Sequence, residues 1–455
     1  MEMKRPWLII FFIIALSLLG TFFLTKNANI WISLLCIAAM LTATIILVIY
    51  ENPSMFFVVI FFINHITFVD GGQYSNLLLL GTLFIFSPVF LYLKKPKRLL
   101  PLLLFPALLL LYYLLVLSLK PYALNLVWVM LHLEAMAIFI LTQFFSWNTE
   151  KIANVAKFHM LALVIFGIFE VTLFYKDRIN GPMMSATAYG VQLVIVWSIW
   201  FSYELLKAKP QYKSAVIYTI FAAVIMIATG TRMTAIGVAV TFASILFIRS
   251  FVANRVSIYK RVLQFGLSGI AAALTILAVW TILPQELQIK KNFQSIIQGQ
   301  VDNSNMGRLF AWFCGIQTFK DNPLLGIGNG NFMQFVQQNY GHLPISSLFP
   351  TLIHAHNATL VILSENGIFG ITTALILVFM ALSQAFRHIK QSNFKNSGYC
   401  LIIGFAVMYL LSMFDAIPYY PSCMVWGAWF LGALIQLPVE REKDIILVKP
   451  SISGA

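Results

Sequence analysis

Residues 99–119 read LLPLLLFPALLLLYYLLVLSL and contain no charged side chain. A bilayer has a hydrocarbon core roughly 30 Å thick, which about 20 helical residues cross. The run is continuously apolar and does not alternate every second residue, so it predicts a transmembrane helix and not a barrel strand. Similar runs recur along the chain and extend this prediction to the whole fold.

The chain is 60% hydrophobic and only 10% charged, whereas soluble domains are about 25% charged. It therefore has too few charged residues for an ordinary water-soluble surface. We predict an all-α polytopic integral membrane protein with about 14 transmembrane helices, or 12–13 if a short run is re-entrant. The predicted spans are 7–25, 29–50, 55–69, 77–93, 99–119, 123–145, 153–175, 186–206, 213–229, 233–249, 262–283, 357–386, 398–414 and 421–437.

The net charge of +14 is interpreted through membrane topology. Threading 14 spans from an inside N-terminus places 21 of the 30 Lys and Arg residues inside and 9 outside. This asymmetry follows the positive-inside rule and predicts cytoplasmic termini. The basic balance therefore indicates membrane lipids and not nucleic acid as the partner. The four cysteines indicate neither a metal pair nor a disulfide scaffold.

The domain organisation follows from one long polar segment. Residues 1–283 form the first eleven predicted helices, and 284–356 form a periplasmic or extracellular loop with short helices. Residues 357–438 hold the last helices, and 439–455 form a cytoplasmic tail. A polar loop with charged groups at the bilayer edge predicts that the active site lies on the outer face.

Two arginines in outer segments are candidate phosphate ligands. Arg232 follows Gly230-Thr231 between two apolar runs that have almost no loop between them. Arg308 begins an apolar stretch in the outer loop that is typical of an interfacial amphipathic helix. A guanidinium stays charged and its planar fork matches phosphate oxygens. The competing interpretations are a snorkelling arginine for Arg232 and a solvated one for Arg308.

A histidine pair precedes the next apolar run. His356 is a candidate general base, with His354 as a rival at the same depth. Asn357 could orient His356 or cap the following helix. Glu365 lies two turns into that helix and needs a partner, while Gly367 predicts close approach of a neighbouring helix.

Other features are less specific. Arg178 lies in an outer segment and could complete a phosphate or sugar site. The chain has no phosphate-binding loop of the Walker type and no Asp-x-Asp pair, which disfavours an ATP-driven pump and a metal-dependent nucleotide-sugar transferase. We expect neither a cofactor nor a metal.

Three motifs together resemble a known family. The pattern of His356-Asn357, nine residues, Gly367, two residues and Gly370 is similar to the H-[NSQ]-x9-G-x-x-[GTY] signature of bacterial O-antigen ligases (WaaL) and related Wzy-type polymerases. The segments 307–312 and 322–332 resemble the outer loop of that superfamily, and Gly230-Thr231-Arg232 resembles its arginine at the end of a span. The resemblance covers roughly 230–386.

The resemblance implies a GT-C-like, metal-independent, inverting glycosyltransferase of surface polysaccharide or lipopolysaccharide biosynthesis. Its donor would be a glycan on undecaprenyl diphosphate, and its acceptor lipid A–core or another glycan. By the family pattern, Arg232 and Arg308 would hold the diphosphate and His356 would activate the acceptor hydroxyl. Arg178, Asn357, His354 and Glu365 are the candidate substrate-binding residues.

Several alternatives stay open. A Wzy-type polymerase is the first, because the motifs separate it poorly from a ligase. A protein O-oligosaccharyltransferase is less favoured, and so is a transporter or flippase. A carrier should place ionisable groups near the bilayer midplane in discontinuous helices, whereas the arginines and His356 are predicted at one rim.

Overall fold

The computed structural model describes residues 99–173, 185–253, 303–349, 352–391, 395–416 and 420–438, with the single positions Phe57, Phe61, Ile179, Tyr259, Val262 and Gly266. Within these residues the chain is helical and has no strand. The α-helices are α1 Leu99–Leu119, α2 Leu126–Thr142, α3 Thr149–Leu173, α4 Ala186–Leu206, α5 Tyr212–Thr229, α6 Arg232–Phe247, α7 Asn303–Asp321, α8 Phe332–Tyr340, α9 Ala358–Gln391, α10 Lys395–Ser412 and α11 Pro421–Ile435. A π-helical turn, Ile248–Ala253, extends α6.

The predicted all-helical membrane class is confirmed. Among the described helices, α3–α6 and α9 are long and apolar enough to cross a membrane, and α1, α2, α10 and α11 are shorter apolar helices. These nine match the nine predicted spans of 99–249 and 357–437 to within a few residues. The predicted spans before residue 99 and at 262–283 lie outside the described residues, apart from isolated positions.

The helix α4 forms the centre of the described bundle, because nearly all of its residues are buried. It packs against α3, α5, α6 and α10. Close approach to α10 depends on Gly404, where a side chain would overlap Ile199 of α4. Ser185 caps the start of α4 by accepting a hydrogen bond from the Ala188 amide.

Contacts between helix ends show which ends share one side of the bundle. Gly237, near the start of α6, lies beside Leu411, near the end of α10. Tyr420, just before α11, hydrogen-bonds Asp415, just after α10. At the opposite end, Thr149 at the start of α3 contacts His388 near the end of α9. We call the end that carries α7 and α8 the loop-side rim.

The helix α9 has 34 residues, about 51 Å, which exceeds the hydrocarbon core. It is broken at Gly367, whose φ of 62° and ψ of −157° are not helical. The expectation that Gly367 lies in a continuous helix and admits a neighbouring helix is therefore wrong. We call the first part, Ala358–Asn366, the rim segment.

The break packs against the half of α1 that is nearer the loop-side rim. At the break, Phe369 stacks on Tyr112, and the Tyr112 hydroxyl donates to the Glu365 carbonyl at 3.4 Å. Tyr112 lies seven residues before the end of α1. Residues 368–391 are then enough to cross the bilayer alone.

Candidate active site

The chain turns sharply at His356 before the rim segment begins. His356 has a φ of 45°, a left-handed conformation that is uncommon outside glycine. Asn357 follows as the helix cap: its Oδ1 accepts from the Leu360 amide at 3.1 Å, and its Nδ2 donates to the Met413 carbonyl at 2.9 Å. The Trp312 indole donates to the His356 carbonyl at 3.3 Å. These bonds hold the turn in place.

The imidazole of His356 lies against a buried carboxylate. Its Nδ1 is 3.3 Å from Asp415 Oδ1, and the side chains are 29% and 4% exposed, respectively. The Ala416 amide donates to the same oxygen at 2.8 Å, and the Tyr420 hydroxyl donates to Oδ2 at 3.3 Å. The carboxylate is thus fixed, and it holds the His356 tautomer that donates from Nδ1 and keeps Nε2 as an acceptor.

The electrostatics favour an ionised Asp415 beside neutral His354. Burial opposes ionisation of Asp415, but the hydrogen bond from His356, the electrostatic effect of the two imidazoles and the Ala416 amide outweigh it, so its pKa lies below the ordinary value. Burial and the neighbouring His356 lower the pKa of His354 to about 4, against an opposing effect of Asp415. His354 Nδ1 accepts from the His356 amide at 3.2 Å. His356 is therefore the more accessible and better oriented of the two rings.

His354, His356 and Asp415 form a group of three potential metal ligands, with ligand atoms within 4.8 Å of one another. The sequence alone shows no such cluster, because Asp415 lies 59 residues after His356. Both carboxylate oxygens and His354 Nδ1 are already engaged in hydrogen bonds. The contacts present are those of an oriented imidazole, and a metal bound through His356 Nδ1 and Asp415 Oδ1 would have to replace the hydrogen bond between them.

Arg308 lies on α7, one helical turn before Trp312, so the two side chains share a face of that helix. Because Trp312 donates to the His356 carbonyl, this is the face that meets the histidine turn. Arg308 is half-buried, and its Nη1 donates to Asn305 Oδ1 at 3.4 Å. Gly315 of the same helix packs on Ala355. Arg308 thus lies on a 19-residue helix over the turn, longer than the short interfacial helix that the sequence predicts.

Arg232 opens α6 after a two-residue turn. Gly230 caps α5 with a φ of 63°, a left-handed conformation suited to glycine. Since Gly237 lies beside Leu411, the start of α6 and the end of α10 share the loop-side rim. The structure therefore places Arg232 at the rim that also holds Asp415.

One predicted residue lies away from this group. Glu365 is fully buried at the far end of the rim segment, and its Oε2 accepts from the Gly330 amide at 2.7 Å. This amide is the partner that the sequence requires for Glu365. Arg178 lies outside the described residues.

Sequence reasoning gave no role to three residues that define the site's geometry. Asp415 carries the only sequence signal, an acid beside an apolar run. Its contact with His356, and those of Trp312 and Tyr420, depend on long-range packing that spacing alone does not show.

Comparison with known proteins finds matches over the region that carries most of these residues. Residues 217–375, about a third of the chain, match the family model described as O-antigen ligase. The resemblance to the O-antigen ligase superfamily is confirmed. The matched residues include Arg232, Arg308 and His356, whereas Asp415 lies beyond them.

The matches to curated relatives cover a similar share of this chain. A Rickettsia felis protein named "Putative polysaccharide ligase" is 29% identical over 147 residues, which are 32% of this chain and 33% of the relative. A Rickettsia typhi protein of the same description is 28% identical over 171 residues, 34% of this chain and 39% of the relative. The chain thus matches only about a third of the length of these relatives.

Proposed function

We propose that this protein is a membrane glycosyltransferase of the O-antigen ligase type, acting on the outer face of the inner membrane. It transfers a glycan from undecaprenyl diphosphate to an acceptor hydroxyl. The observation that carries the proposal is His356, turned out of the chain and held by buried Asp415 beside the helix of Arg308. The family match supports it, because the match includes His356 and both arginines.

The reaction uses these groups in one displacement. His356 Nε2 takes the proton of the acceptor hydroxyl while its oxygen forms a bond to the anomeric carbon. The bond from that carbon to the phosphate oxygen breaks, and the electron pair leaves with the lipid diphosphate. Arg308 and Arg232 stabilise the developing negative charge by charge-assisted hydrogen bonds. Attack opposite the leaving group inverts the anomeric centre.

Asp415 acts through His356. A carboxylate at Nδ1 keeps the imidazole in the accepting tautomer and stabilises the imidazolium that forms. The left-handed backbone of His356 fixes the ring direction, with a conformational cost of about 1–3 kcal/mol that the surrounding hydrogen bonds offset.

The location of the broken helix bears on the transporter alternative. A carrier would bind substrate near the midplane in discontinuous helices. Here the break at Gly367 packs on α1 seven residues from the end of that helix, and His356 and Arg232 lie toward the same end of the bundle. This placement favours the transferase.

The test is gel analysis of surface glycan and lipid-linked intermediates in a deletion strain. Full-length chains on the carrier lipid support a ligase with a lipid A–core acceptor, and single repeat units support a polymerase. Normal surface glycan with no lipid-linked intermediate contradicts both. Transfer by the purified protein in EDTA should match transfer without it, and loss restored by a divalent ion would contradict the metal-independent mechanism.

A further inference from the structure

We propose that Glu365 is a positioning residue that ties the end of α7 to the break in α9 and so keeps Arg308 placed beside His356. This inference rests on the proposed function for its catalytic consequence. Its structural part stands on contacts at the end of the rim segment opposite His356.

At the break, a loop completes the backbone hydrogen bonds that α9 lacks. In a continuous helix, the amides of Ile368 and Phe369 would donate to carbonyls four residues earlier. Here two amides of the 322–331 loop donate to those two carbonyls of α9 instead. The amides of Ile368 and Phe369 donate in turn to two carbonyls of the loop. The four bonds are Ile327 N to Ser364 O at 3.0 Å, Gly328 N to Glu365 O at 2.9 Å, Ile368 N to Pro323 O at 2.8 Å and Phe369 N to Leu324 O at 3.2 Å. We call this junction of 322–331 with 364–369 the splice.

Glu365 closes the splice from within. Its Oε2 accepts from the Gly330 amide, and the side chain is fully buried. Its Oε1 has no hydrogen-bond partner in the described part of the structure. The contact with the Gly330 amide therefore uses only one carboxyl oxygen of Glu365, Oε2. At the outer edge, Lys120 Nζ donates to Asn322 Oδ1 at 2.8 Å and to the Gly326 carbonyl at 3.0 Å.

The loop meets its partners too closely for side chains. Gly326, Gly328 and Gly330 have φ values of 67°, 86° and 76°. A Cβ at Gly326 would overlap the Glu365 backbone, and one at Gly330 would overlap the Trp128 ring. The splice is thus built for direct backbone contact.

The splice matters to the site because α7 ends immediately before it. The helix ends at Asp321, and the loop of the splice begins one residue later. Farther back, Trp312 is bonded to the His356 carbonyl. Around Trp312, Phe310 and Cys314 of α7 pack in one buried cluster with Val361 of the rim segment, and Arg308 lies one turn beyond Trp312. The splice fixes the other end of the helix, and its loss should therefore let α7 shift and change the position of Arg308.

The test compares Glu365→Ala with Glu365→Gln, which keeps an acceptor for the Gly330 amide. Spin labels at Leu309→Cys and Tyr409→Cys, both exposed positions, report the placement of α7 without substrate, with the native cysteines replaced by alanine. Transfer of a lipid-linked glycan by the purified full chain gives kcat and KM. Lys120→Met is a milder variant at the splice edge, and Gly427→Ala is a control at a glycine with open space around its Cβ.

We expect Glu365→Ala to shift or broaden the label distance and to lower kcat about 100-fold, the scale of a 1 Å misplacement. KM and the pH profile should change little. Glu365→Gln should restore the distance and most of the rate, Lys120→Met should show a smaller change of the same kind, and Gly427→Ala should match the wild type.

Three results would overturn the proposal: an unchanged distance in Glu365→Ala, a changed distance with normal kcat, or a Glu365→Gln variant with native distance but the defect of Glu365→Ala. The last would mean that the carboxylate acts chemically. If the wild type transfers no glycan, the proposed function fails, while the label distance still decides whether Glu365 places α7.

Discussion

The rim segment has two ends that are held in opposite ways. At the first end, side chains hold His356, which stays 29% exposed with one ring nitrogen outside the described hydrogen bonds. At the other end, backbone groups bond one another around Gly367, and Glu365 is fully buried. The difference separates an end suited to proton transfer from an end that fixes geometry.

The largest effect on the transfer rate should come from the end of the rim segment beside His356. Replacing His356 with Ala removes the proposed base, and general-base catalysis contributes about 10²–10⁴-fold in rate. We expect glycan transfer by the purified variant to fall by that factor while the protein still assembles in the membrane. His342→Ala, an exposed histidine of the same loop, is the matched control. Equal activity of the two variants would remove His356 from the mechanism.

The next effect should come from Arg308→Ala. Losing one donor to the leaving diphosphate should cost about 2–4 kcal/mol at the transition state. Arg308→Lys should recover only part of the rate, because an ammonium lacks the planar fork. Lys320→Ala, on the same helix, is the control and should leave kcat unchanged. The same loss is expected for Arg232→Ala, and a normal rate in either arginine variant would contradict its assignment.

Substitutions at the splice should lower the stability of the folded protein. Gly367→Ala forces a side chain into a backbone region that is almost exclusive to glycine and against the Leu324 carbonyl. We expect a destabilisation of about 3 kcal/mol, seen as a lower Tm of the purified protein. Gly427→Ala should lower Tm little or not at all. Equal Tm values for both variants would contradict the splice as a structural junction.

The smallest expected effect is a pH dependence of the folding stability, which arises from His354 near the exposed end of the rim segment. The pKa of His354 is lowered to about 4 in the folded protein, while an unfolded histidine titrates near 6.5. The unfolded state therefore binds more protons between these values, and stability falls as pH falls through this window. The expected loss is about 2 kcal/mol between pH 7 and 5. Melting curves of His354→Asn should depend less on pH; an identical pH dependence would contradict this origin.

Much of the fold could be predicted from sequence because apolar runs of span length leave few alternatives. The nine spans that the structure describes lie where hydropathy places them. The break in α9 could not be predicted this way. Gly367 lies within a helical pattern, and only the loop that reaches it from 322–331 shows why the helix stops.

The candidate site could be predicted only in part. His356 and the two arginines follow from motif and position, and they lie within the region that matches the family model. Asp415 needed the structure, since its position beside His356 results from α10 ending against the start of the rim segment. The predicted roles of these residues, and of Arg178, stay predictions.

A double-mutant cycle between His356 and Asp415 tests the central claim most directly. Rates of glycan transfer would be measured for His356→Ala, Asp415→Asn and the double variant in the same membrane preparation. If Asp415 acts only by orienting His356, the double variant should be no slower than His356→Ala alone. Losses that multiply would contradict the account, because Asp415 would then contribute independently of the imidazole.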